Sequence, residues 1–218
     1  MKEFSGGRIR GLKTHTIQEG RATCYTCLRP TSYCLCQEIV PFYAHCNVVL
    51  LQHPNEWRKY YSTAKLVRQS IVNSALLRGV VFEESVLQAT LGNTEPVLLY
   101  PGHSSVDCEE LPLDESHTIL VIDGTWDEAG KIVWRNQMLQ KLRRVSFRST
   151  LSSRYRIRKQ PRRGYLSTIE SVGHLLKLNA HAFGKTEYIE AYDRLFTVFD
   201  RMVEKQLAHL GETAEARV

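Results

Sequence analysis

Thr118–Trp126 reads TILVIDGTW, and this stretch decides the fold. Ile119–Ile122 is a short β-branched apolar run, which predicts a buried strand. It breaks at once into Asp123-Gly124-Thr125-Trp126. In open α/β sheets, ligands lie outside the carboxyl ends of the strands. A carboxylate, a glycine able to turn the chain sharply, a hydroxyl and an indole therefore stand where a site would be. Thr125-Trp126-Asp127-Glu128 fits the S/T-x-x-E capping box and predicts a helix start. Ala129, Ile132, Val133, Asn136, Leu139 and Leu142 carry that helix onward as a mostly apolar stripe. An ordinary βα turn without a catalytic role has the same local signature.

Working outward, the segments before and after alternate between the two periods. Asn47–Gln52 (NVVLLQ) predicts a buried strand ending at His53-Pro54. Residues 59–77 predict a helix with Ala64, Val67, Ile71 and Ala75 on one face. Val97–Tyr100 predicts a strand ending at Pro101-Gly102, and Val145–Arg148 a short one. Ser167-Thr168-Ile169-Glu170 is a second capping box, opening a helix to about Ala180. Thr186–Leu210 predicts a long amphipathic helix carrying Ile189, Tyr192, Leu195, Phe196, Phe199, Met202 and Val203. Strands alternating with helices predict an α/β fold with a mostly parallel sheet flanked by helices. The strand ends at His53, Tyr100 and Asp123 would then gather on one edge and form a pocket.

Composition narrows the class. A chain of 218 residues, 43% hydrophobic, can build one full core. It has no apolar run of membrane-spanning length, and its first residues lack the apolar centre of a signal peptide. We therefore expect a cytoplasmic protein with no membrane partner. The net charge is +6, unevenly spread. Residues 141–163 hold ten Lys and Arg side chains and no acid, and residues 2–21 add five more. Such asymmetry suggests a polyanion, nucleic acid above all, although a solvated basic face looks the same.

Four of the six cysteines fall within 13 residues, as Cys24-x2-Cys27-x6-Cys34-x-Cys36. In a reducing compartment this spacing reads as a zinc site rather than as disulfides. Four thiolates leave no seat for water, so the zinc is structural. Cys46 and Cys108 stand apart. The expected organisation is an arm over 1–20 that is flexible or lightly ordered, a zinc segment over 21–46, a catalytic unit over 47–210 and a tail over 211–218.

These motifs occur in a particular order: CxxC…CxC, His53-Pro54-Asn55-Glu56, Leu99-Tyr100-Pro101, Asp123-Gly124-Thr125-Trp126 and Leu166-Ser167-Thr168-Ile169-Glu170. The set, spanning roughly residues 21–180, resembles the DTW-domain family. Ser62-Thr63 stands where many members have Asn-Thr, and Lys65 where Arg is frequent. The resemblance implies a tRNA-uridine aminocarboxypropyltransferase that uses S-adenosylmethionine as co-substrate. It also implies a SPOUT-like fold with a knotted cofactor site, which periodicity does not show. The implied cofactor residues are Tyr100, Pro101, Gly102, Asp123, Gly124, Thr125, Trp126, Leu166, Ser167 and Thr168. The implied substrate contacts are His53, Glu56, Arg154, Arg156 and Arg158, in a chain taken to act as a monomer.

Each residue keeps a plainer reading beside this one. Asp123 would accept the uridine N3 proton, its basicity raised by burial against Trp126, or would only shape the turn. Trp126 would stack on a base or anchor its helix in the core, the commoner fate of a tryptophan. Ser167 and Glu170 suffice as a helix cap, and His53 and Glu56 as the start of the next helix. Two other functions compete: a SPOUT-type RNA methyltransferase with the same co-substrate, and a non-catalytic zinc-containing RNA-binding protein.

Overall fold

A computed structural model describes residues 22–27, 29–59, 61–148, 153–156 and 166–215. The proposed arm over 1–20, Arg158 and the last residues of the tail lie outside these. Among the described residues six strands form one parallel sheet in the order β2-β1-β5-β3-β6-β4. The strands are β1 (Asn47–Gln52), β2 (Ser74–Arg78), β3 (Glu95–Leu99), β4 (Val106–Asp107), β5 (His117–Asp123) and β6 (Arg143–Ser146). β5 sits between β1 and β3, in register with Gln52 against Asp123 and Leu99 against Val121. Every pairing is parallel, so all carboxyl ends lie on one edge.

Alternation along the strands feeds two cores. Val48, Leu50, Val97, Ile119, Val121 and Val145 face helices α2 (Thr63–Ser70), α6 (Thr168–Ala182) and α7 (Ile189–Glu215). Val49, Leu51, Leu98 and Leu120 face α3 (Glu84–Leu91), α4 (Trp126–Arg135) and α5 (Gln137–Lys141). Burial on both faces explains why the inner strands read as continuous apolar runs. One polar cluster sits within the first core: buried His45 bonds the Tyr192 hydroxyl and Asn179 Oδ1. Burial lowers the His45 pKa to about 4, so the ring is neutral there at ordinary pH.

Two helical expectations need correction. The helix expected over 59–77 is α2 alone; Ile71 caps it, and Ala75 lies on β2. The Asn73 side chain holds the corner, bonding Ala44 and Cys46 backbone. The helix expected to run to Leu142 breaks at Asn136, whose φ of −119° and ψ of 99° leave the helical region. The buried Asn136 side chain is taken by Val80 O, Phe82 N and Ile132 O, which pins the break. The strand expected at Val145–Arg148 starts and ends earlier, at Arg143–Ser146.

Candidate functional site

The motif at the end of β5 folds as its sequence dictates. Thr125 caps α4: its hydroxyl accepts from Glu128 N, and Glu128 Oε2 accepts from Thr125 N at 2.8 Å. Glu128 Oε1 also takes Asn55 Nδ2 at 2.8 Å and lies 3.1 Å from His53 Nδ1. His53 caps the short helix α1 (Pro54–Trp57), and its N–H donates to Asp123 O. The HPNE and DGTW motifs are therefore one hydrogen-bonded corner. Gly124 does not serve here through positive φ, which among the described glycines belongs to Gly92 and Gly184. It serves through space: a Cβ there would stand 3.1 Å from Glu128 Cβ.

Asp123 is 5% exposed. Gln52 Nε2 donates to Oδ2 at 2.6 Å, and the Thr168 hydroxyl donates to Oδ1 at 2.5 Å. Gln52 Nε2 also donates to Ser62 Oγ. The carboxylate is thus held from both oxygens by β1 and by the first turn of α6. Burial against Trp126 is not what encloses it. Trp126 is 48% exposed, and its ring stands 6.2 Å from that of Tyr100. The core-anchor reading of Trp126 fails for the same reason.

Two cavities meet beside Asp123. The larger, about 500 Å³, is walled by Leu99, Tyr100, Pro101, Val121, Ile122, Gly124, Trp126, Ala129, Ser146, Phe147, Leu166, Thr168 and Ser171. That size is in the range of small-molecule and cofactor sites. The smaller, about 60 Å³, is polar and is lined by Glu56, Tyr61, Ser62, Thr63, Asp123, Gly124, Tyr155, Leu166, Ser167 and Thr168. Gly124, Leu166 and Thr168 belong to both. Gly102 borders this region differently, packed under the Arg144 guanidinium that lies over the Tyr100 ring.

Glu170 does more than cap α6. At 1% exposure it accepts from Ser167 N and Oγ, Ser153 Oγ and Arg154 N. It thereby seats Tyr155 in the wall of the small cavity, a residue that sequence reasoning missed. Glu170→Gln places an NH2 where a carboxylate oxygen now accepts. It should cost about 2–3 kcal/mol for buried donors left unpaired, read as a lower urea midpoint at unchanged slope. The substrate arginines are divided. Arg154 pairs with Asp200 of α7 at 2.8 Å, and Arg156 is exposed. Glu56 is buried and paired with Lys59.

The four N-terminal thiols converge, with all sulfurs within 4.8 Å of one another. Cys24–Cys36 and Cys27–Cys34 sulfurs are 3.9 and 3.8 Å apart. Tetrahedral zinc with bonds near 2.3 Å wants sulfurs about 3.8 Å apart, so the donor set fits the ion. Backbone N–H groups of Cys27 and Thr26 lower the Cys24 thiol to about 6, whereas burial and the neighbouring thiols push Cys36 to about 12. A bound cation would resolve that conflict by holding all four as thiolates. The segment is docked firmly: Arg29, 1% exposed, donates to Gln69 Oε1 and Ser62 O, and Lys205 of α7 donates to Cys34 O. Cys46 and Cys108 are buried core thiols.

The DTW domain matches residues 21–207. Three curated relatives are each named tRNA-uridine aminocarboxypropyltransferase 2. The Macaca fascicularis protein is 29% identical over 199 residues, 87% of this chain and 65% of its own. The Drosophila melanogaster protein is 32% identical over 165 residues, 72% and 66% respectively. The Mus musculus protein is 30% identical over 170 residues, 73% and 57%. The chain thus spans between 57% and 66% of the length of these relatives. No solved structure matches it.

Proposed function

Because the chain belongs to the DTW-domain family, we propose that it is a tRNA-uridine aminocarboxypropyltransferase using S-adenosylmethionine. Uridine N3 attacks the γ-carbon of the methionine moiety. The γ-carbon–sulfur bond breaks with its electron pair going to sulfur, methylthioadenosine leaves, and the N3 proton passes to a base. Asp123 is our candidate for that base, held in one orientation by Gln52 and Thr168. Attack at the methyl carbon would give methylation instead, so the protein must choose which carbon to present.

The observation that carries this reading is the pair of cavities joined at Gly124, Leu166 and Thr168. The large one has the size and aromatic wall for the adenosine and its thioether. At roughly 10–15 Å³ per water-sized occupant, 60 Å³ holds about four to six non-hydrogen atoms. That is the size of an α-amino-acid head. Glu56 suits its ammonium. A sulfonium lying across the junction would put its γ-carbon beside Asp123, the carbon that an aminocarboxypropyl transfer needs.

The remaining assignments follow the same reading. Cys24, Cys27, Cys34 and Cys36 hold a structural zinc ion in the segment over 21–46, and the catalytic unit spans 47–210. Tyr100, Pro101, Gly102, Thr125, Trp126 and Ser167 complete the cofactor contacts, with His53, Arg154 and Arg156 toward the tRNA. SPOUT-like threading is supported by the late strands β5 and β6 lying between earlier ones. Among the described residues no helix is long and apolar enough to cross a membrane. We take the protein as a monomer of the cytoplasm, where thiols stay reduced.

One assay decides among the reactions. Bulk tRNA is incubated with the protein and S-adenosylmethionine labelled in the carboxyl or the methyl group. Carboxyl label entering RNA is the expected result; methyl label would make this a methyltransferase, and no label a binding protein. Trp126→Ala should weaken methylthioadenosine binding about 10–100-fold, since aromatic stacking on a base is worth roughly 1–3 kcal/mol. Calorimetric affinity within twofold of wild type would remove Trp126 from the cofactor site.

A further inference from the structure

Two cations share one indole at the carboxyl edge of the sheet. Trp57 ends α1, Lys65 lies on the first turns of α2, and Arg78 is the exposed last residue of β2. Lys65 Nζ stands 4.1 Å from the Trp57 ring centroid and Arg78 Cζ 4.7 Å from it. Lys65 Nζ also donates to Trp57 O at 2.7 Å, which fixes the ammonium. Burial, followed by the positive charges of Arg29 and Arg78, lowers the Lys65 pKa, partly offset by Asp123. Like charges gathered about one ring repel, and an anion contacting both would relieve the repulsion.

The charge is not spent inside the protein. Lys59, Lys177, Lys205, Arg154, Arg194 and Arg201 each have a carboxylate partner. Neither Lys65 nor Arg78 has an ion pair among the described residues. A guanidinium stacked on a ring is pre-ordered while its N–H edges stay available, and Lys65 retains two donors after Trp57 O. Position gives the cluster its meaning. Arg78 is in register with Gln52, and Gln52 with Asp123. Two strand spacings separate Arg78 from Asp123, about 10 Å along one row. That distance spans roughly three stacked nucleotides at about 3.4 Å each.

We infer that Lys65 and Arg78, ordered by Trp57, clamp a phosphodiester of the RNA strand that brings the target uridine to Asp123. This rests on the RNA-modifying reading above. It assigns backbone recognition to the β2 edge, apart from the basic run over 141–163. Phosphate contacts of this kind position the strand without reading its sequence.

The test measures binding of bulk tRNA to the full chain, as purified with its metal, over a salt series. Arg78→Gln should reduce the magnitude of the log–log salt slope by about 1 and lower affinity roughly tenfold. Arg78→Lys should retain most of both. Arg194→Gln, which removes a paired arginine on α7, should change neither. Methylthioadenosine affinity should be the same in all three variants. Carboxyl-label transfer in Arg78→Gln should recover when tRNA is saturating. Wild-type slope and affinity in Arg78→Gln, with transfer intact, would overturn the clamp and leave the transferase reading standing. Loss of methylthioadenosine affinity instead would reassign the cations to the co-substrate and overturn the clamp equally. A wild-type protein that neither transfers carboxyl label nor binds tRNA in a salt-dependent way would remove the transferase reading itself.

Discussion

Asp123→Asn should still bind S-adenosylmethionine and tRNA but lose aminocarboxypropyl transfer by about 10²–10⁴-fold, the usual worth of a general base. The fold should accept the change. Asn Oδ1 can take the Gln52 Nε2 hydrogen, and Asn Nδ2 can donate to Thr168 Oγ1 once that hydroxyl rotates. What disappears is the capacity to take a proton. The measurement is single-turnover transfer with both ligands saturating, at several pH values. A rate within a few fold of wild type would end the base assignment and return Asp123 to a turn-shaping role. A deficit that shrinks as pH rises would mean that N3 can ionise in solution and that Asp123 normally removes that requirement.

Chelation of the proposed zinc, or Cys27→Ser, should unseat the N-terminal segment. Loss of a structural metal belongs to the few single changes that cost on the order of 4 kcal/mol or more. At about 2–4 °C per kcal/mol for a chain of this size, the transition should fall by roughly 8–16 °C. The loss should extend beyond the segment, because Arg29 donates to Ser62 O and Ser62 Oγ accepts from the Gln52 amide that holds Asp123. The checks are elemental analysis and thermal unfolding with and without a chelator. Purified wild type without stoichiometric zinc, or a chelated protein with an unchanged transition, would refute the structural-metal assignment.

The sequence is legible where burial is two-sided. β1 reads to the residue because NVVLLQ packs helices on both faces, and the core of β5 reads for the same reason. β2 does not, since Ala75 continues the helical period of Ala64, Val67 and Ile71 and the strand is half-buried. β4 is two residues long and carries no periodic signal. At the site, Asp123, Gly124, Leu166 and Thr168 are legible because each belongs to a motif and the two motifs meet. Gln52, Ser62 and Tyr155 are not. Gln52 arrives through strand register, and Tyr155 through the grip of buried Glu170 on its neighbours. The available signal was a polar residue ending an otherwise apolar strand, a weak sign without the register. Trp126 reads both ways in the sequence because its helix is amphipathic; the indole falls at the end that opens on the cavity.

The contact between Lys205 and the Cys34 carbonyl joins residues 171 positions apart. It makes assembly a problem of timing. During synthesis the cysteine segment leaves the ribosome well before the helix that receives it is made. At about 5–20 residues per second, Cys34 precedes Lys205 by roughly 9–34 s. β1 likewise waits for β5 before it gains its inner neighbour, and pairings this distant along the chain slow folding. Early capture of zinc would spend that interval with the four thiols already drawn into a compact knuckle, shielded from oxidation and from other metals until its dock exists.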